Sequence, residues 1–179
     1  MGDTQNHLPV LLVAAVSSRY ESAIDDWFVE TANAAWGPIA LASPMFDFTE
    51  TNYYAESMGT DLKKKLFAFE SLIDPAHIVK SKHESNKWEQ AFVSQFDYPE
   101  ERPINIDPGY LTEAKLVLAT TKDRDHRIYL SDGIFAEITL YYRRSVWEKS
   151  RWTYPDFQRS DFHEFLNECR RYLRGRTRT

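Results

Sequence analysis

A polar turn near the middle of the chain carries residues suited to anion binding. The Asp107-Pro108-Gly109 segment follows a short apolar stretch and precedes a segment with helical character, so it marks a predicted strand-to-helix turn. Thr112 is a suitable N-cap for that helix, and Lys115 falls in its first turn, where the helix dipole disfavours a cation. An anion bound at the free backbone N–H groups would remove that conflict. The alternative is that Glu113 offsets Lys115 and the aspartate simply forms a turn.

A predicted β-hairpin brings a second set of ionisable residues together. Its three-residue loop, Ser131-Asp132-Gly133, places glycine where a left-handed conformation is needed. The resulting register pairs Leu130 with Ile134, Ile128 with Ala136, Tyr129 with Phe135 and Arg127 with Glu137. The last pair is either a structural ion pair worth about 0.2–1 kcal/mol or part of a pocket in which Glu137 is an acid–base group. His126 is a candidate proton shuttle or a structural histidine.

Sequence motifs for metal and cofactor binding are not found. Asp123, Asp125 and His126 offer ligands that a divalent cation accepts, but their spacing is not specific, and a solvated loop is the preferred interpretation. The sequence lacks a phosphate-binding P-loop and the patterns G-x-G-x-x-G, H-E-x-x-H and G-x-S-x-G. These absences argue against a P-loop nucleotidase, a Rossmann dehydrogenase, a zincin and an α/β-hydrolase. No metal ligand is assigned, and the cofactor is unknown.

Composition indicates one globular domain that spans residues 1–179, with a short flexible N-terminus (1–7) and a basic C-terminal tail (175–179). The chain has 179 residues, of which 42% are hydrophobic and 27% charged. Cys169 is the only cysteine, so an intramolecular disulfide is impossible and a reducing, cytoplasmic location is expected. The apolar run at residues 8–16 is shorter than the roughly 20 residues of a membrane span, so a buried strand and no membrane contact are predicted.

Charge is distributed unevenly along the chain. Residues 1–60 hold one basic and eight acidic residues, whereas residues 141–179 hold ten basic and five acidic ones. Five of the basic residues are the arginines at positions 170, 171, 174, 176 and 178. They favour either a solvated helix end, where the dipole accepts cations, or contacts with nucleic acid. A noncatalytic RNA- or protein-binding module that uses the basic C-terminal third is therefore the alternative function.

Hydrophobic periodicity predicts the elements that position these residues. Strands are expected at residues 8–16, 39–43, 66–72 and 104–106, with helices at about 18–37 and 81–96. This order is the split βαβ pattern, so the predicted fold is α+β with a ferredoxin-like βαββαβ sandwich core. A short helix at about 112–120, the β-hairpin and a C-terminal helix from about residue 160 to Gly175 extend the core. Residues 45–65 form an aromatic-rich excursion that is either a site wall or lid, or packing over the sheet edge.

Several segments together resemble a known family. They are Phe46-Asp47-Phe48-Thr49, Tyr53-Tyr54, Glu56-Ser57-Met58-Gly59, residues 105–111, residues 115–120, residues 126–130, residues 133–140 and Trp152-Thr153-Tyr154-Pro155-Asp156. In these segments the chain resembles the uncharacterised bacterial and archaeal family called domain of unknown function 4416, over about residues 9–157. The resemblance implies no reaction. Its polar landmarks are Asp47, Tyr54, Glu56, Asp107, Lys115, His126, Arg127, Glu137 and Asp156.

The leading hypothesis is a pocket for a small anionic ligand, such as a nucleotide or phosphorylated metabolite. Its walls would be the 46–59 loop, the 107–115 turn and helix, and the 126–139 hairpin. Lys115 and Arg127 would hold the anion, and if the protein is an enzyme, Asp107 or Glu137 would be the base and His126 the acid. The remaining ligand-binding candidates are Asp47, Tyr54, Glu56, Tyr110 and Asp156. Whether the protein is an enzyme, and its oligomeric state, are left open.

Overall fold

One antiparallel sheet of nine strands dominates the computed structural model, which describes residues 2–50 and 54–177. The strands are β1 (Val10–Ser18), β2 (Ile39–Ala42), β3 (Phe46–Asp47), β4 (Lys63–Ile73), β5 (Ile104–Leu111), β6 (Lys115–Thr120), β7 (Ile128–Ser131), β8 (Ile134–Arg143) and β9 (Val146–Lys149). Their order is β2-β4-β1-β5-β6-β8-β7, while β3 pairs with β4 and β9 with β8 beyond this path. The predicted α+β class is confirmed, with a sheet larger than the predicted ferredoxin-like core.

Four helices connect and cover the strands of the described chain. They are α1 (Val29–Trp36), which continues a π-helical segment (Ala23–Phe28), α2 (Ala55–Met58), α3 (Ile78–Gln95) and α4 (Ser160–Thr177). A 3-10 turn precedes α3 (Pro75–His77) and another precedes α4 (Asp156–Gln158). Among the described residues, no helix combines the length and apolar character that crossing a lipid bilayer requires.

The sheet has a hydrophobic core on each face. Alternate residues of β1 point to opposite cores, because side chains along a strand alternate between faces. Leu12, Ala14 and Val16 meet α1 and α3, whereas Leu11, Val13 and Ala15 face the α4 side. Burial on both faces explains why β1 is a continuous apolar run and not an alternating pattern.

The predicted turn at Asp107 and the helix after it are wrong. β5 continues through Asp107, Pro108 and Gly109 to Leu111, and residues 115–120 form strand β6. Short apolar runs do not distinguish a buried strand from a buried helix. The anion site that was expected at a helix N-terminus therefore does not exist at this position.

The hairpin of β7 and β8 agrees with its predicted register in part. Ile128 pairs with Ala136 and Tyr129 with Phe135, as expected, but a shift in the ladder pairs Ser131 with Ile134 in place of Leu130. Asp132 and Gly133 both have positive φ values, 50° and 76°, so the turn has two central residues.

The C-terminal helix follows its predicted start but not its predicted end. Its apolar stripe is buried, and α4 continues through Gly175 to Thr177, so residues 175–177 are helical and not a separate tail. Within the apolar stripe, burial raises the pKa of the Cys169 thiol.

Candidate functional site

The candidate site is a gap in the sheet between β5 and β6. β5 pairs with β1 along its whole length, whereas its pairing with β6 covers only residues 109–111. Before that point, side chains of α3 bond to the free edge of β5. The backbone N–H of Ile106 donates to Glu89 Oε1 (2.7 Å), and the Ile106 carbonyl accepts from Lys82 Nζ (3.0 Å). Two charged side chains thus take the place of a neighbouring strand.

Pro108 and Gly109 explain why the strands separate here. Proline has no N–H to donate to a further strand, and the ladder with β6 starts one residue later. At Gly109, a Cβ atom would lie 2.3 Å from the Val117 carbonyl oxygen and 2.7 Å from Leu118 Cδ2. β6 therefore crosses β5 very closely at Gly109, a contact that only glycine permits.

A cleft of about 1030 Å³ lies at this gap, and most of the side chains that line it are polar or charged. From α3 it is lined by Lys82, Asn86, Glu89, Gln90, Val93 and Ser94; from β5 and the preceding loop by Glu101, Arg102, Asn105 and Asp107; from β6 and its continuation by residues 118–122; and on the remaining side by Tyr54, Glu56, Ser57, Glu137 and Tyr154. The cleft thus brings together residues from the 46–59 segment, β5 and the β8 strand of the hairpin.

Asp107 is held in place by two donors in the cleft. Lys82 Nζ lies 3.1 Å from its Oδ1, and Asn105 Nδ2 donates to its Oδ2 (2.8 Å). The Lys82 side chain is 5% exposed and that of Asp107 33%. Burial by itself raises the pKa of Asp107, but the attraction of Lys82, the Asn105 hydrogen bond and the nearby Lys64 outweigh it and keep the pKa below its usual value. Asp107 is therefore a fixed carboxylate.

Arg102 and Glu89 form a second ion pair on the same wall. Arg102 Nη2 lies 2.8 Å from Glu89 Oε2, and the same nitrogen bonds to the side-chain oxygen of Asn105. Burial raises the pKa of Glu89 although Arg102 opposes the shift. Arg102 keeps 35% of its side chain exposed, and its Nη1 takes part in none of these bonds.

Glu137 is the centre of a third group. Its Oε2 accepts from Arg127 Nε (2.7 Å) and lies 3.1 Å from His126 Nε2, so the predicted ion pair of Arg127 and Glu137 is confirmed. Arg127 Nη2 also donates to the hydroxyl of Tyr154 (2.7 Å). Burial raises the pKa of Tyr154 to about 12. The His126 ring stacks on Trp152 at a centroid distance of 4.7 Å.

The 46–59 segment forms a wall of the cleft through Tyr54, Glu56 and Ser57. The backbone N–H of Arg102 donates to the Ser57 carbonyl (2.9 Å), which ties this wall to the loop before β5. Burial raises the pKa of Tyr54. The segment also packs over the sheet edge, as the alternative interpretation predicted, since β3 pairs with β4 and Phe48, Met58 and Leu62 form a small core. Tyr53, part of the resemblance, lies outside the described residues.

Other predicted site residues are not in the cleft lining. Lys115 is at the turn between β5 and β6, where its N–H donates to Thr112 Oγ1 (3.1 Å), and Tyr110 packs on the α1 and α3 core. Asp47 pairs with Lys63 (2.6 Å) and is largely exposed. Asp156 is buried in an ion pair with Lys64 (2.5 Å), whose ammonium also lies 3.7 Å from the centroid of the Phe48 ring.

Neither a metal centre nor a free row of arginines is found in the described part of the chain. No group of three or more His, Cys, Asp and Glu residues there is arranged to hold a metal ion. At the C-terminus, Arg170 donates to the Glu113 carbonyl (2.7 Å) and lies 3.8 Å from the centroid of the Tyr142 ring, while Arg174 pairs with Glu113 (3.3 Å). Arg171 and Arg176 are exposed, and Arg178 is outside the described residues.

Sequence reasoning missed Lys82, Glu89, Arg102 and Asn105. One signal was available on α3, where Ile78, Lys82, Ser85, Glu89 and Phe92 follow one another at spacings of four and three and share one face. A buried helical stripe that is apolar at both ends and charged in the middle indicates a polar site. Arg102 and Asn105 carried no such pattern.

Comparison with known proteins identifies the family. The family model described as Domain of unknown function (DUF4416) matches residues 8–172, so the chain belongs to that family, as the sequence resemblance indicated. No curated protein and no solved structure matches the chain.

Proposed function

We propose that this member of the DUF4416 family binds a small anionic ligand, a nucleotide or phosphorylated metabolite, in the cleft between β5 and β6. The cleft volume of about 1030 Å³ slightly exceeds the usual range for small-molecule sites, roughly 300–1,000 Å³, so the cleft is large enough for a nucleotide. The ligand class is the one predicted from the sequence, but the cations proposed to bind the ligand differ from the predicted ones.

The observation that carries the proposal is the concentration of poorly solvated charges in one cleft. Lys82, Glu89 and Glu137 have side chains that are 5%, 12% and 4% exposed. Removing ions from water costs several kcal/mol each, and buried ion pairs frequently stabilise a fold no better than apolar residues would. A group of such charges in a cleft is therefore more readily explained by ligand binding than by stability.

Two cations and one carboxylate of the cleft suit different parts of the ligand. Arg102 is fixed by Glu89 and Asn105 but presents its remaining surface to the cleft, so it is the proposed phosphate-binding residue, because a guanidinium offers several donors in a plane. Lys122, which also lines the cleft, adds positive charge near the β6 end. Asp107 would accept hydrogen bonds from ligand hydroxyl or amino groups.

Acid–base catalysis has less support than binding. The low pKa of Asp107 makes it a weak base at neutral pH. His126 contacts Glu137 but does not line the cleft, so a proton would have to pass through Glu137, which Arg127 already binds. The function proposed here is therefore binding.

The experiment is a thermal-shift screen with nucleotides and sugar phosphates, followed by calorimetry of the hits. A ligand present at 100 times its Kd adds about 2.7 kcal/mol of stability, which corresponds to a rise in Tm of about 5–11 °C for a chain of this length. Arg102→Gln should abolish the shift. Lys115→Gln is the control, because it removes a cation that does not line the cleft and should leave the shift intact.

Two outcomes would contradict the proposal. One is a screen in which no phosphorylated compound stabilises the wild-type protein. The other is a ligand whose affinity falls equally in Arg102→Gln and Lys115→Gln, since that result would indicate a general charge effect and not the cleft.

The alternative, a module that binds RNA or protein through the basic C-terminal third, has weaker support. Arg170 and Arg174 are already engaged with Glu113, which leaves Arg171 and Arg176 as exposed cations on the described part of α4. Replacing both exposed arginines by serine should reduce RNA binding and its salt dependence if this alternative holds. The same change should not affect ligand binding in the cleft.

We also infer that the cleft lies where a ferredoxin-like unit meets its extension. The strand order β2-β4-β1-β5, with α1 and α3 as connections, supports a ferredoxin-like βαββαβ unit. In such a unit β5 is an edge strand. The β6-β8-β7 extension joins that edge at residues 109–111, and beyond this point side chains of α3 and the cleft lie beside β5 in place of a strand.

A further inference from the structure

The outer edge of β7 is an uncovered strand edge. β7 is the last strand of the sheet path, and within residues 2–50 and 54–177 no strand pairs with its outer side. All four of its residues are exposed, including three consecutive large apolar ones, Ile128 (68%), Tyr129 (58%) and Leu130 (39%). This edge therefore offers both unpaired backbone groups and apolar side chains.

Natural proteins protect such edges, and the two ends of this sheet differ in that respect. An exposed edge pairs readily with another strand unless proline, inward-pointing charge or a covering loop prevents it. At the opposite end, β2 is flanked by Pro38 and Pro44 and its first three residues are partly buried. β7 itself contains no proline and no charged residue, and the charged residues Arg127 and Asp132 lie just outside it; its short length and one ladder irregularity also limit pairing.

We propose that β7 is a self-association surface, on which β7 of a second copy of this chain pairs in antiparallel orientation. An edge strand binds another extended strand, and a two-fold axis pairs a strand with itself only in the antiparallel direction. Because β7 is uncharged, the copy places apolar side chains beside apolar side chains. The tight turn at Asp132 and Gly133 fixes the strand in its binding conformation before association.

The prolines beside β2 indicate which of two modes of self-association is favoured. Pairing of β7 with β2 of the next copy would be head-to-tail and would give an open series of copies. Proline on both sides of β2 disfavours that mode. Pairing of β7 with β7 closes after two copies, and the four-residue strand implies a weak, concentration-dependent dimer.

Sedimentation velocity over a wide range of protein concentrations tests the proposal. The wild-type chain should change reversibly from monomer to dimer, and the double variant Ile128→Lys, Leu130→Lys should raise the dimer Kd by about tenfold or more, because lysine on an edge opposes pairing. Leu8→Lys is the control, since Leu8 is as exposed (69%) as Ile128 but lies before β1. Circular dichroism of each variant verifies folding, which substitutions at exposed positions should not disturb.

Three results would overturn the proposal. The wild-type protein could remain a monomer at every concentration, the double variant could dimerise as well as the wild type, or Leu8→Lys could weaken the dimer equally. A continuous series of larger species would reject the two-fold pairing in favour of the head-to-tail mode. Because β7 does not line the cleft, none of these results bears on ligand binding there.

Discussion

The ion pair of Lys82 and Asp107 allows the sharpest test of the cleft's electrostatics. Lys82→Met keeps the length of the side chain but removes its charge, which leaves the Asp107 carboxylate poorly solvated and without its ammonium partner. Loss of one member of a fully buried pair costs about 3–5 kcal/mol. We expect about 2–4 kcal/mol here, because Asp107 keeps 33% of its side chain exposed while the Lys82 hydrogen bond to the Ile106 carbonyl is lost as well.

Urea denaturation of the wild type, both single variants and the double variant Lys82→Met, Asp107→Asn measures this cost. The double variant should be more stable than the sum of the single changes predicts, by about 1–3 kcal/mol, because it removes the unpaired carboxylate. Strict additivity of the two single effects would refute the reasoning, since it would mean that the two groups do not interact.

The pH dependence of the same variants gives a check with a fixed sign. In the wild type the folded-state pKa of Asp107 is lowered, so its contribution to stability is complete above the unfolded-state pKa, about 4, and is lost as the pH falls through the folded-state value. In Lys82→Met, burial dominates, so the carboxyl takes up a proton more readily. The stability difference between wild type and Lys82→Met should therefore shrink as the pH falls from 7 towards about 4. A difference that grows on acidification would contradict this account.

Two further substitutions test the close crossing of β5 and β6 and the Glu137 group. Gly109→Ala should lower the unfolding free energy by about 3 kcal/mol or more, because the added Cβ would lie 2.3 Å from the Val117 carbonyl oxygen. Gly175→Ala is the control: a Cβ there meets nothing within 4 Å, so this change should raise the unfolding free energy by about 0.5 kcal/mol. Equal effects of the two changes in urea denaturation would count against the close crossing. Arg127→Met should lower the unfolding free energy by about 3 kcal/mol in the same assay, because the Glu137 side chain is 4% exposed and would lose its guanidinium partner. An unchanged unfolding free energy would show that the ion pair does not stabilise the fold.

The parts of the fold that were predictable from the sequence are those where one local signal dominates. β1 is a long apolar run bounded by polar residues, α4 has a single apolar stripe, and the β7–β8 pairing follows from one glycine turn. β6 was not predictable in this way. Its residues Leu116, Leu118 and Ala119 are buried against two different cores, and an apolar run buried on both faces has no period that separates strand from helix.

The residues of the candidate site were likewise predictable only where a local sequence feature marks them. Asp107 and Glu137 were found because they lie beside features that the sequence displays, a Pro-Gly pair and a hairpin. Arg102 lies just before β5 and Asn105 is its second residue, and their role depends on the separation of β6 from β5, which no local pattern encodes. Lys115 was assigned to the anion because it was expected in the first turn of a helix; it is the first residue of β6 and does not line the cleft, so that reason no longer applies.

Pro108 and Gly109 explain both the wrong prediction of a turn at this position and the presence of the cleft. Proline and glycine indicate a turn because one lacks an N–H and the other lacks a Cβ atom. In β5 the same two absences act within a strand, since the missing N–H prevents further pairing with β6 and the missing Cβ lets β6 pass close to the backbone. The strands can then separate without a chain reversal, and Glu89 and Lys82 bond to the backbone groups of Ile106 that separation leaves unpaired. A substitution at Gly109 should therefore alter the shape of the cleft even though the residue does not line it.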